Sequence, residues 1–109
     1  MCLFRRKNLT ENNKKDREMI SLNEKSFETL LILAKEDEFK DKIRAVQNKV
    51  KYLIPSTNDK VFNYDKKIKE AIGDLKISLT KDGSVETNNK LEKLLQEIEI
   101  LIAERETVF

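Results

Sequence analysis

The side chains that most often do chemistry are scarce in this chain. Histidine is absent, and with it the usual proton shuttle near neutral pH and the commonest metal ligand. The single cysteine, Cys2, excludes an internal disulfide and a multi-cysteine metal site, and no Ser/His or Cys/His nucleophile pair can form. Cys2 stands at the start of the sequence with nothing predicted around it to stabilise a thiolate. Glycine occurs only at 73 and 83, which rules out a glycine-rich phosphate loop. Carboxylates are plentiful but interleave with lysines. Glu36/Lys40, Glu38/Lys42, Lys66/Glu70 and Lys93/Glu97 lie four apart, the spacing of a solvated helix face on which each pair contributes about 0.2–0.5 kcal/mol. Glu97, Glu99, Glu104 and Glu106 concentrate negative charge, yet no loop around them carries the ligand order of a calcium site. The expectation is a protein with no enzymatic activity, no cofactor, no metal and no small-molecule substrate.

Charge speaks to partners. The 22 Lys and Arg against 20 Asp and Glu leave a net +2, unevenly placed. Residues 1–20 hold six basic side chains against three acidic ones, and residues 83–109 the reverse, three against six. The segments between are nearly balanced, so no helix presents a continuous positive face, which argues against nucleic acid as a partner. The basic start has a second possible use. Leu3 and Phe4 precede Arg5, Arg6 and Lys7, a combination that can press on an anionic membrane at about 1 kcal/mol per basic residue. Stable attachment would need a further signal, such as acylation of Cys2. The same tail could instead dock on the acidic third helix of a neighbouring chain. The first residues lack the apolar core of a signal peptide. The longest apolar run, Leu30 to Ala34, is far shorter than the roughly 18–20 residues that span a bilayer. A cytoplasmic protein is expected, with peripheral membrane association as the alternative.

The elements that would position any surface follow from periodicity. At 109 residues, with 39% hydrophobic and 39% charged side chains, two glycines and one proline, the chain suits one all-α domain and lacks the turn-formers of a sandwich or barrel. Residues 1–20 have no periodic apolar pattern and read as a basic tail, flexible or weakly helical; residues 21–109 read as the bundle domain. Ser21-Leu22-Asn23-Glu24 fits a capping box. Beyond it, Phe39, Ile43, Val46, Val50 and Leu53 mark a coiled-coil-like seam that Pro55 ends. This first helix is expected over about 22–54, but its stripe slips by one residue near 35–38, so it is kinked there or divided in two. The second helix, about 59–81, uses Val61, Tyr64, Ile68, Ile72, Leu75 and Leu79. Gly73 inside it reflects either a close helix approach or mere tolerance. After a stop at Gly83, with Ser84 or Thr87 as cap, the third helix (about 86–106) uses Leu91, Leu94, Leu95, Ile98, Leu101 and Ile102. Short connections predict an antiparallel up-down-up three-helix bundle or long helical hairpin, with four helices if the first breaks near 35–38.

An unbroken first helix would outrun its neighbours by several turns and leave the segment bearing Phe27, Leu30 and Leu31 uncovered. The tail could fold back over them, the chain could break and redock, or a second chain could cover them in a dimer. The leading expectation is therefore a non-enzymatic interaction module, self-associating or binding a protein partner through Phe27, Leu30, Leu31 and Leu33. One alternative is a peripheral membrane protein using Leu3, Phe4, Arg5, Arg6 and Lys7. Another is a small immunity-type bundle: four-helix bacteriocin immunity proteins share this size, basic balance and lack of catalytic groups, although no motif links this sequence to them.

Overall fold

A computed structural model describes the backbone of residues 2–80 and 85–109 and the side chains of 14–80 and 89–109. Among the described residues the chain forms four helices: α1 (Cys2–Leu33), α2 (Asp37–Lys51), α3 (Asp59–Leu79) and α4 (Val85–Val108). The all-α expectation is met, in its four-helix form. The break falls at residues 34–36, where the stripe slips. Ala34 closes α1 by donating to the Leu30 carbonyl, and Glu36 takes extended backbone angles before α2 begins. Asp37 and Glu38 then sit in the first turn of α2, where negative charge suits the helix dipole. Of the two readings of the segment 22–54, kinked or divided, the structure has the divided one. α2 ends at Lys51, three residues before the expected limit.

The boundary expected at residue 20 falls inside α1 (Cys2–Leu33). α1 runs straight through Ser21, which is an interior helix position and not a cap. Its inward face explains the continuity. Asp16, Ile20, Asn23, Phe27, Leu30 and Ala34 are all buried, at spacings of four and three, so the segment before Ser21 belongs to the same seam as the segment after it. A basic stretch with few apolar residues is held because one of its acids is a core residue. Downstream, Asn58 caps α3, its side chain accepting from the Lys60 N–H at 2.9 Å. The Gly83 stop and the Ser84 cap lie outside the described residues, whereas Thr87 falls inside α4, which begins at Val85, so the reading of Thr87 as its cap is corrected.

Helix neighbours are not simply those next in sequence. α1 packs on α2 and α3, and α4 packs on α3 and α2; among the described residues α2 and α3 make no close backbone approach, nor do α1 and α4. Gln47 of α2 donates to the Glu24 carbonyl and to Glu28 of α1, across an antiparallel pair. Lys42–Glu92 and Lys49–Glu99 bridge α2 and α4 one heptad apart in the same sense, so those helices are parallel. Asn58 reaches the Val108 carbonyl and Asp65 reaches Arg105, making α3 and α4 antiparallel. Sequence-adjacent α2 and α3 thus occupy one diagonal of the bundle, and α1 and α4 the other. Phe27, Leu30, Ile43, Val46, Val50, Ile68, Leu75 and Ile98 form the centre of one continuous core.

Candidate functional site

Three ionisable side chains occupy seam positions that the sequence pattern reserves for apolar residues. Asp16 continues the α1 seam, Asp65 follows Val61 and precedes Ile68 on α3, and Arg105 follows Ile98 and Leu101 on α4. All three are 0% exposed. The Arg105 guanidinium donates through Nε to Asp65 Oδ1 at 2.9 Å. Its Nη2 reaches Asp65 Oδ2 at 3.4 Å, Asp16 Oδ2 at 3.2 Å and the Ile54 carbonyl at 2.8 Å. Asp16 Oδ2 also accepts from the Ser56 backbone N–H at 2.7 Å. Asn23 donates to the Asp65 carbonyl at 3.0 Å, and the Phe109 ring lies over the guanidinium, its centroid 5.5 Å from Cζ. One cluster therefore ties α1, the α2–α3 connection, α3 and α4 together, and Arg105 supplies the link between the diagonal helices α1 and α4.

Two carboxylates face one guanidinium here, so full ionisation would bury a net negative charge. Burial is the main cause that pushes the Asp65 carboxyl up, a hydrogen bond with Asp16 adds to it, and Arg105 opposes it, leaving Asp65 at about 8. A raised carboxyl stabilises the fold fully below its ordinary value near 3.8, and that contribution is lost as pH rises through about 8. Burial and the neighbouring carboxyl thus favour the protonated form of Asp65 beside the Arg105 guanidinium. Asp16 Oδ1, Asn23 Oδ1 and Arg105 Nη1 are buried without partners. Paired carboxyls with a raised proton affinity are what acid–base catalysis uses. These are sealed from solvent, so they touch no substrate in this conformation. Their geometric effect is to fix helix register, because each ion finds its partner in one alignment only.

A second feature lies on the surface between α1 and α2. Glu28, Leu31 and Ile32 from α1 and Arg44, Gln47 and Asn48 from α2 line an open groove of about 400 Å³. Ile32 is 83% exposed. Glu28 is held by Gln47 at 2.8 Å and Arg44 by Asp41 at 3.1 Å, so the polar rim is ordered by contacts within and between the two helices. The α2–α4 face is different in kind: its Lys42–Glu92 pair at 2.9 Å is exposed on both sides, and Glu92 raises the Lys42 ammonium by hydrogen bond and charge.

The residues expected to bind a partner divide between core and surface. Phe27 and Leu30 are fully buried in the core, which corrects their reading as contact residues: the break at 34–36 lets α2 pack back over them. Leu31 and Leu33 are half-buried, and Leu31 lines the groove. Ile32, between them, is the exposed apolar residue that the sequence reading passed over because it lies off the seam. The side chains of Leu3, Phe4, Arg5, Arg6 and Lys7, and of Cys2, lie outside the described residues. Asp16, Asp65 and Arg105 were also missed, though a signal existed. Counting back from Phe27 in steps of four and three places Asn23, Ile20 and Asp16 on the seam, and the same count forward from Leu101 reaches Arg105. No protein family, curated protein or solved structure matches this chain. Among the described residues no helix is long and apolar enough to cross a membrane.

Proposed function

We propose that this chain is a non-enzymatic helical interaction module that binds a protein partner, or a second copy of itself, through the α1–α2 groove. The observation that carries this reading is Ile32, 83% exposed on a groove with an ordered polar rim. Covering one such side chain is worth about 1.5–3 kcal/mol to a partner. Leu31 extends the apolar floor, while Glu28, Arg44, Gln47 and Asn48 offer charges and amides that select what can sit there.

The test is recovery of partners by the full chain from its native cell, in soluble and membrane fractions, beside sedimentation of the purified protein. The Ile32→Glu variant should lose a stoichiometric protein partner, or its self-association, with helicity and melting unchanged. Equal recovery by the variant would overturn the groove as the contact. Recovery chiefly with membrane, abolished by removing residues 1–7, would favour a peripheral membrane protein instead.

A further inference from the structure

Asp16 and Asp65 meet Arg105 in a way that leaves room for one negative charge and not for two. Both approach the same nitrogen, Nη2, each through its Oδ2, at 3.2 and 3.4 Å. With a proton on one of the two carboxyls, a single negative charge faces the guanidinium and the two charges balance. Without it, two like charges share one nitrogen in a site with no exposure to water, an arrangement that close carboxylates avoid by holding a proton. We propose that Asp16, Asp65 and Arg105 form a protonation-controlled latch: a proton shared by the two carboxylates holds α1 against the α2–α3 connection, and its loss releases Asp16 from Arg105 and Ser56.

The geometry names the partner that gives way. Asp65 is gripped by two guanidinium nitrogens, one of them at 2.9 Å. Asp16 has a single, longer contact with Arg105 and the Ser56 N–H. Asp16, Asp65 and Arg105 are the charged groups that the hydrogen bonds of the cluster join. The α2–α3 connection presents only the Ser56 N–H and the Ile54 carbonyl, and Asn23 is neutral. Release therefore leaves the Asp65–Arg105 pair intact and neutral, and frees α1 at Asp16. The lift of the Asp65 carboxyl to about 8 by burial and by Asp16 places the transition in mild alkali.

The Ser56 amide reports the latch directly, since its N–H donates to Asp16 only in the closed state. In the full chain, its proton and nitrogen shifts followed from about pH 6 to 9.5 should trace a one-proton transition centred near 8. Asp65→Asn supplies from its side-chain NH₂ the bond that the shared proton supplies, so its Ser56 amide should stay flat over the same range. Carbon shifts of the native aspartate carboxyls give a readout independent of any variant: one carboxyl of the pair should titrate near 8. A flat Ser56 amide in the native chain, both carboxyls titrating in the ordinary acidic range, or an Asp65→Asn variant that titrates like the native chain would each overturn the latch.

Discussion

Replacing Arg105 with leucine tests whether the buried cluster is as dry and as interdependent as its geometry requires. The substitution removes the Nε bond to Asp65 at 2.9 Å, the Nη2 contacts to Asp65 and Asp16 at 3.4 and 3.2 Å, and the bond to the Ile54 carbonyl at 2.8 Å. Two carboxyls are left in the core with no cation. Breaking a buried ion pair from one side costs about 3–5 kcal/mol. For a chain of 109 residues, total stability is of order 5–15 kcal/mol. Arg105→Leu should therefore remove about a fifth or more of the stability at neutral pH, read as a lower urea midpoint by circular dichroism at an unchanged slope. Acid should narrow the gap to the native chain, because the stranded carboxyls then take up protons. Replacing all three residues with apolar ones of similar volume should recover most of the loss, since a buried ionic cluster and a packed apolar one differ far less than either does from a broken cluster. A loss below about 1 kcal/mol for Arg105→Leu, the scale of a surface pair, would refute the reasoning.

Other perturbations separate core, surface and backbone effects. Asp16→Asn and Asp65→Asn should each be tolerated, whereas the double variant strands Arg105 and should be destabilised by more than the two singles combined, measured as a double-mutant cycle in urea. Phe27→Ala should cost about 3–5 kcal/mol in the same assay, because Phe27 is fully buried. Gly73→Ala should stabilise by up to about 1 kcal/mol, as an added Cβ meets nothing within 4 Å and α3 gains helix propensity. Lys49→Ala, which removes the exposed 3.5 Å pair with Glu99, should cost less than about 1 kcal/mol, an effect that high salt erases.

Periodicity disclosed the helices because their apolar residues outnumber the exceptions on each seam. Phe39, Ile43, Val46 and Val50 point to α2, and Leu91 to Leu101 point to α4, with no knowledge of the partner helices. The slip near 35–38 marked the break but could not choose between a kink and a loop, since that choice depends on whether α2 can fold back onto Phe27 and Leu30. The same uncertainty assigned those two residues to a contact surface. Residues 14–20 were harder still. Their place in the bundle rests on Asp16, and a charged residue reads as solvated until its partner is found. That partner lies 89 residues away, beyond any local window. The groove was half legible: Leu31 and Leu33 were singled out, but an exposed Ile32 gains its meaning only from Arg44, Gln47 and Asn48 across the helix pair.

The diagonal placement of α2 and α3 constrains how the chain comes together as it is made. A bundle in which each helix packs on the one before it can grow hairpin by hairpin during synthesis. Here α1 and α2 can pair early, but α3 emerges beside α1 and not beside its immediate predecessor, and α2 gains its second neighbour only with α4. Asp16 and Asp65 must both wait for Arg105, near the end of α4. Core closure is thus weighted toward pairings distant in sequence, the arrangement that slows folding relative to a simple up-down bundle. Until α4 arrives, the growing chain exposes unmatched carboxyls and the apolar faces of α2 and α3, so a ribosome-bound chain stalled before Arg105 should be far more open to protease than the released protein.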